Sequence, residues 1–116
     1  MNDLPVEIKD RNAGEWTEHP RFQGIMMKSL LTPTENSLAN VNTVRVPSGG
    51  VIGSHGHASQ VETIYVLAGI SILTISEVDI PFSAGQIVAV PSGMTHSLRN
   101  EGTENVELLT IFTPPL

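Results

Sequence analysis

Three histidines and one glutamate are the residues of this chain best suited to chemistry. His55 and His57 are separated by a single glycine. Glu62 follows five residues later, and His96 lies further along the chain. On a β-strand, residues two apart point to the same face, so the paired imidazoles could reach one ion. Three imidazoles and a carboxylate suit Mn, Fe, Co, Ni, Cu or Zn better than Ca or Mg. These four residues are therefore candidate metal ligands.

The absence of cysteine limits what else the chain can do. Without cysteine it has no disulfide, no thiol nucleophile and no thiolate metal site, so a metal must use histidine and carboxylate. A histidine pair alone is a weak signal, because exposed histidines are common on strands. His19 has no candidate partner nearby in the sequence, and we expect it to be a surface histidine. We expect Trp16, the single tryptophan, to be a packing residue.

Short runs rich in Val, Ile and Thr make up much of the chain and would have to position these side chains. Ten glycines and eight prolines interrupt the sequence, so no helical periodicity is sustained. Such runs between turn signals predict half-buried strands. The predicted strands are residues 24–31, 41–46, 61–67, 70–75, 86–90 and 106–112. The predicted fold class is all-β, a single-domain sandwich or barrel.

Composition narrows the possible partners. The 116 residues carry 6 basic and 12 acidic side chains, which gives a net charge of −6. This charge, without a Lys/Arg cluster, makes the chain a poor electrostatic match for nucleic acid. The longest apolar stretch, residues 64–70, is far shorter than the roughly 20 residues of a membrane span. The first residues lack a basic stretch followed by an apolar one, so we expect no signal peptide and a cytoplasmic location. Charged residues are only 16% of the chain, which suggests that a subunit interface hides part of its surface.

Two spacing patterns resemble the paired signature motifs of the cupin superfamily. Residues 49–69 read G-x5-H-x-H-x4-E-x6-G, and residues 85–100 read G-x5-P-x-G-x2-H-x3-N. Every signature position is filled. The resemblance implies one cupin domain over residues 1–116, with an N-terminal arm and first strand in 1–23 and a double-stranded β-helix, or jelly-roll barrel, in 24–116. It also implies a homodimer, and one divalent transition metal per chain (Mn, Fe, Ni, Cu or Zn). The implied ligands are His55, His57, Glu62 and His96.

Strand parity extends the predicted site to a pocket. Residues two and four positions after Glu62 share its inward face, whereas Tyr65 points away. Likewise, residues two before and two after His96 share its face, whereas Arg99 points away. This wall is apolar and guarantees no Arg or Lys near the metal, which favours a small, mostly apolar organic ligand. The predicted pocket residues are Ile64, Val66, Met94 and Leu98.

Two kinds of function fit these residues. The first is a metal-dependent enzyme, which the complete ligand set and the apolar walls support. An oxygenase acting on a small organic molecule is favoured over an isomerase. The second is a small-ligand-binding or sensing module that uses the metal without turnover, which fits the short chain and the lack of an evident acid or base. The fold alone does not decide between them.

Overall fold

Ten antiparallel strands build the structure, a computed structural model that describes residues 5–116. The strands are β1 (Thr17–Glu18), β2 (Met26–Leu31), β3 (Asn40–Val46), β4 (Val51–His55), β5 (Val61–Ala68), β6 (Ile70–Ile75), β7 (Val78–Ser83), β8 (Ile87–Val90), β9 (His96–Arg99) and β10 (Val106–Thr113). Nowhere in residues 5–116 is there a helix long and apolar enough to cross a membrane. Residues 1–4, on which part of the signal-peptide prediction rests, lie outside the described residues.

The all-β fold class is confirmed, and each of the six predicted strands corresponds to an observed one. Strands β4, β7 and β9 were not predicted as separate elements. Gly53 and Ser54 in β4 and Asp79 and Pro81 in β7 are poor strand formers, so composition hides these strands. Pro81 is tolerated because β7 is the edge strand of its sheet.

The strands form two sheets that enclose one hydrophobic core. The larger sheet has the order β1-β2-β3-β10-β5-β8, and the smaller has the order β4-β9-β6-β7. The two sheets pack together because each has an apolar inner face. In strand β10, for example, alternate residues are buried and face the other sheet. The buried core is formed by Ile25, Val44, Val46, Ile64, Val66, Leu73, Phe82, Val90, Leu98, Val106 and Leu108.

The strands that carry the candidate ligands come from both sheets. In the smaller sheet, β4 pairs with β9 so that His55 lies opposite His96. The register of this pair shifts between Ile52 and His55, and β4 ends at His55. His57 therefore lies in the irregular segment after the strand, where its carbonyl oxygen accepts a 2.7 Å hydrogen bond from Gly93 N–H. The expectation that both histidines share a strand is wrong, because the bulged strand ends too early.

The N-terminal arm packs on the outer face of the larger sheet. Lys28 Nζ donates hydrogen bonds of 3.1 Å to the carbonyl oxygens of Arg11 and Ala13. The Trp16 ring lies 4.7 Å from Lys28 Nζ and 4.3 Å from Arg45 Cζ, so two cations contact it. These contacts hold the arm in place and direct the following residues, 19–25, toward the open end of the barrel.

Candidate metal centre

The four candidate ligands converge at one place inside the barrel. They come from the end of β4, the segment after it, the start of β5 and the start of β9. One ligand atom from each residue lies within 4.8 Å of all the others. Glu62 belongs to the larger sheet and His96 to the smaller, so closure of the two sheets assembles the cluster. The residues brought together are His55, His57, Glu62 and His96.

A single carboxylate oxygen is the centre of the cluster. Glu62 Oε1 lies 2.8 Å from His96 Nε2, 3.5 Å from His57 Nε2 and 3.9 Å from His55 Nε2. The Glu62 side chain is only 9% exposed, so bulk water does little to solvate its charge. A carboxylate in such a place needs cationic or hydrogen-bonding neighbours, and three imidazoles supply them.

Backbone carbonyls fix the tautomers of two of these histidines. His55 Nδ1 donates a 2.8 Å hydrogen bond to the carbonyl oxygen of Gly53. His96 Nδ1 donates a 3.1 Å hydrogen bond to the carbonyl oxygen of Met94. Each accepting carbonyl lies two residues before its histidine, and each hydrogen bond places the Nδ1 proton outside the cluster. Nε2 is then the nitrogen that faces the other ligands, which is how proteins orient metal-binding histidines.

The pKa values of the histidines differ inside the cluster. Burial lowers the pKa of His55 and of His57, which favours the neutral imidazole that a metal requires. Burial alone would also lower the pKa of His96. Its hydrogen bonds to Glu62 and to the Met94 carbonyl outweigh burial and raise the pKa of His96. A metal that binds His96 must therefore displace the Nε2 proton.

One fully buried atom of the described cluster lacks a hydrogen-bond partner. His57 Nε2 is buried, and its 3.5 Å distance to Glu62 Oε1 is too long for a good hydrogen bond. A buried polar atom without a partner costs about 1–3 kcal/mol, so its retention needs an explanation. An ion held by the four residues would provide one. The residues therefore fit a transition metal, and the group could hold one ion of unknown identity.

A cavity of about 300 Å³ opens beside the cluster. Its size lies at the lower end of the range for small-molecule sites, and its walls are mostly apolar. Its hydrophobic lining comprises Pro20, Phe22, Met27, Val44, Ile52, Ile64, Leu98, Leu108, Phe112 and Leu116. Besides the four candidate ligands, its polar lining comprises His19, Arg21, Asn42 and Thr110.

The structure separates the four predicted pocket residues into two pairs. Ile64 and Leu98 line the cavity. Val66 is buried in the core one pleat beyond Ile64 and is not among the lining residues. Met94 lies in the turn before β9, where strand parity does not apply, and it packs against the core. Met94 still affects the site, because its carbonyl oxygen orients His96.

Two residues at the cavity mouth were missed by the sequence reasoning. His19, expected to be a surface histidine, is half-buried and lines the cavity. Arg21 also lines it and supplies a cation that strand parity did not guarantee. No local pattern marks these residues. They reach the cavity because β1 pairs with β2, with Thr17 opposite Met27, and the turn between these strands lies over the barrel opening.

Comparison with known proteins agrees with this geometry. A family model described as "Cupin domain" matches residues 42–112. An oxalate-binding protein of Thermotoga maritima is 31% identical over 69 residues, which cover 60% of this chain and 57% of that protein. Protein SchB of Streptomyces halstedii is 31% identical over 94 residues, which cover 79% of this chain and 67% of SchB. The crystal structure of a predicted oxalate decarboxylase from Thermotoga maritima superposes with a TM-score of 0.84 at 23% identity, covering 93% of this chain and 99% of the other.

A jelly-roll of two antiparallel sheets with a His/His/Glu/His cluster inside defines the class of protein. The matched region covers more than half of the chain, so this chain belongs to the cupin family. The structural similarity at 23% identity shows the fold. The matched segment spans little more than half of the oxalate-binding relative.

Proposed function

We propose that this cupin is a metal-dependent enzyme of the oxygenase type, acting on a small, mostly apolar organic molecule. The observation that carries the proposal is the position of the cluster, where three histidines and a glutamate converge beside an apolar cavity of about 300 Å³. Four protein ligands leave up to two positions of an octahedral ion open, and an open position distinguishes reactive metal sites from closed structural ones.

The residues of this chain would hold and orient both the ion and the substrate. A bound transition metal would polarise a chelating oxygen and, as iron, copper or nickel, would supply redox chemistry. Hydrophobic side chains such as Phe22, Ile52 and Leu108 would bury the organic body and exclude water. Asn42 and Thr110, both buried on the larger sheet, offer hydrogen-bonding groups that would orient the substrate.

Elemental analysis with an oxygen-consumption assay tests this proposal. Protein purified without chelators should contain about one equivalent of a transition metal, and His96→Ala and His57→Phe should contain much less. Metal-loaded protein should consume oxygen with one of the candidate classes, namely catechols, diketones or flavonols. If the native protein contains no metal and takes none up on reconstitution, the metal proposal fails. A loaded protein that binds these compounds without consuming oxygen contradicts the oxygenase.

The second candidate is a binding module that uses the metal to hold a ligand without turnover. Among the residues described, the titratable side chains lining the cavity are the four candidate ligands, His19 and Arg21, so acid–base groups are few. The name of the oxalate-binding relative favours this alternative. A metal-dependent isomerase would need a proton-transfer group, for which His19 is the candidate. Product analysis after incubation with a bound ligand distinguishes binding from both kinds of catalysis.

We also propose that the chain forms a homodimer in the cytoplasm. The low content of charged residues supports an interface, and the absence of cysteine is compatible with a reducing compartment.

A further inference from the structure

The segment between β1 and β2 contains an arginine that forms no salt bridge with a carboxylate of residues 5–116. Arg11, Arg45 and Arg99 each form a salt bridge with an acidic side chain. Arg21 forms none with the side chains that the structure describes, although the chain has twice as many acidic as basic residues. In a protein with net charge −6, an arginine that lines a cavity and has no salt bridge within residues 5–116 is available to an anionic ligand.

Arg21 lies one aromatic ring away from the candidate metal ligands. Its guanidinium carbon lies 5.4 Å from the centroid of the Phe22 ring. The Phe22 ring centroid lies 5.2 Å from that of His55. A molecule of a few carbon atoms could therefore contact an ion at the cluster and the guanidinium at the mouth together. Phe22 and its apolar neighbours would cover the part between these two contacts.

His19 adds a second donor at the same mouth. Its Nδ1 accepts a 3.1 Å hydrogen bond from the backbone N–H of Arg21, so Nε2 carries the ring proton. Burial lowers the pKa of His19, and the positive charge of Arg21 lowers it further, which keeps the ring neutral. A neutral histidine with this tautomer donates from Nε2. Within residues 5–116, the hydrogen bond of the His19 ring is the one at Nδ1, so Nε2 is available to a ligand.

The charges of the lining side chains favour an anion. Glu62 is the single acidic side chain of the lining and would be neutralised by the metal, while Arg21 stays positive. A divalent ion with these two residues gives a net positive site inside an acidic protein. Arg21 is exposed at the rim of the cavity, and an arginine guanidinium can bind a carboxylate through two parallel hydrogen bonds.

We propose that the ligand of this cavity is a two-ended organic acid, with one end chelating the metal and a distal carboxylate held at the mouth by Arg21 and His19. This inference rests on the proposed metal centre and names the chemical class of its ligand. It also gives Arg21 a specific role, which is to distinguish a diacid from a monoacid of the same length.

Matched pairs of 2-oxo acids test the inference. Calorimetric titration of Co²⁺-loaded protein would compare 2-oxoglutarate with 2-oxopentanoate, and 2-oxoadipate with 2-oxohexanoate. We expect at least one diacid to bind about tenfold more tightly than its monoacid, because hydrogen bonds between two charged groups contribute about that much. Arg21→Gln should abolish the preference, because it should weaken the binding of the diacid far more than that of the monoacid. Arg99→Gln, which removes the same charge on the outer face of the smaller sheet, should keep it.

Two substitutions of His19 separate its two nitrogens. Asparagine can replace Nδ1 as acceptor for the Arg21 N–H but offers no donor at the position of Nε2. Glutamine places an amide nitrogen near the position of Nε2. We expect His19→Asn to reduce the diacid preference several-fold and His19→Gln to preserve most of it. Equal losses in both variants would overturn the direct role of His19.

The outcomes distinguish this inference from the metal proposal. Cobalt content and the visible spectrum of the same samples report whether the ion is loaded. If cobalt is loaded and monoacids bind as tightly as diacids, or if Arg21→Gln keeps the preference, the inference is overturned and the metal centre stands. If cobalt loads and none of the acids binds, the two-ended ligand is likewise overturned. If no cobalt is taken up, the metal proposal fails and this inference fails with it.

Discussion

Replacing His57 with phenylalanine should separate metal binding from folding. The Nε2 atom of His57 is buried without a hydrogen-bond partner, and its ring contacts Phe112 edge-on at a centroid distance of 4.8 Å. Phenylalanine keeps the ring contact and removes the unsatisfied atom, a gain of about 1–3 kcal/mol. The larger ring costs a similar amount, about 1–3 kcal/mol, if it overpacks the site. We therefore expect the free energy of unfolding of the metal-free protein to change by less than about 1 kcal/mol.

The same substitution at His96 should have the opposite consequence for the metal-free protein. His96 Nε2 is the 2.8 Å hydrogen-bond partner of the Glu62 carboxylate, and both side chains are buried. His96→Phe leaves that carboxylate without its main partner. Breaking a buried pair by removing one member costs about 3–5 kcal/mol. Two substitutions of the same chemical type in one cluster should thus differ by several kcal/mol.

Added metal should stabilise the wild type and neither variant. At an ion concentration one hundred times Kd, binding raises the free energy of unfolding by about 2.7 kcal/mol. For a chain of 116 residues, this corresponds to an increase in Tm on the order of 10 °C. Because each variant lacks one of four ligands, each should lose most of that increase.

Urea unfolding followed by circular dichroism, with chelator and again with excess Zn²⁺, measures both effects. The reasoning is refuted if His57→Phe destabilises the metal-free protein as much as His96→Phe does, because Nε2 of His57 would then be satisfied. If Zn²⁺ stabilises His57→Phe by the full wild-type amount, His57 is not a ligand.

Three further outcomes are expected. Burial alone would raise the pKa of Glu107, but its hydrogen bonds to Arg45 and Arg11 lower the pKa of this carboxyl. The stability that these hydrogen bonds contribute is therefore present at neutral pH and is lost as the pH falls through the folded-state pKa. Glu107→Gln should cost about 1–2 kcal/mol at neutral pH in urea unfolding, and the difference from wild type should shrink in acid. Gly69→Ala should destabilise the protein more than Gly85→Ala does, by at least about 1 kcal/mol. Both glycines have positive φ, but a Cβ at Gly69 would lie 2.7 Å from a backbone oxygen. Equal losses in urea unfolding would contradict this expectation. Light scattering after size exclusion should give twice the chain mass of 12.5 kDa, and a particle of 12.5 kDa would contradict the dimer.

The fold and the cluster were predictable because their signals are local. Runs of β-branched residues marked six strands, and fixed spacings marked the four candidate ligands. Strand parity predicted the inward direction of Ile64 and Leu98 for the same reason. Parity did not apply at Met94, which precedes its strand, or at His57, which follows a bulged one. Irregular segments have no fixed alternation, so a sequence pattern cannot orient their side chains.

The cavity mouth was not predictable, because a contact distant in sequence creates it. His19 and Arg21 lie more than thirty residues before His55, and nothing in their neighbourhood resembles a binding motif. Their position depends on the packing of Trp16 and Lys28, which holds the arm against the larger sheet. The positions of these two residues follow from how the sheets assemble, and no periodic pattern in the sequence indicates them.

The two parts of the site therefore arise from different parts of the chain, and this division bears on function. The barrel strands and the carbonyls of Gly53 and Met94 fix the ligand atoms, so the ion site depends on the fold itself. The mouth depends on the segment between β1 and β2, in which the exposed Arg21 can change without disturbing the core, whereas Ile25 belongs to it. A change at Arg21 should thus alter which ligand binds and leave the metal affinity intact. A change at Gly53 or Met94 that shifts its backbone carbonyl should instead alter the metal affinity first. We therefore expect the kind of ligand to depend on the mouth and the kind of chemistry on the cluster.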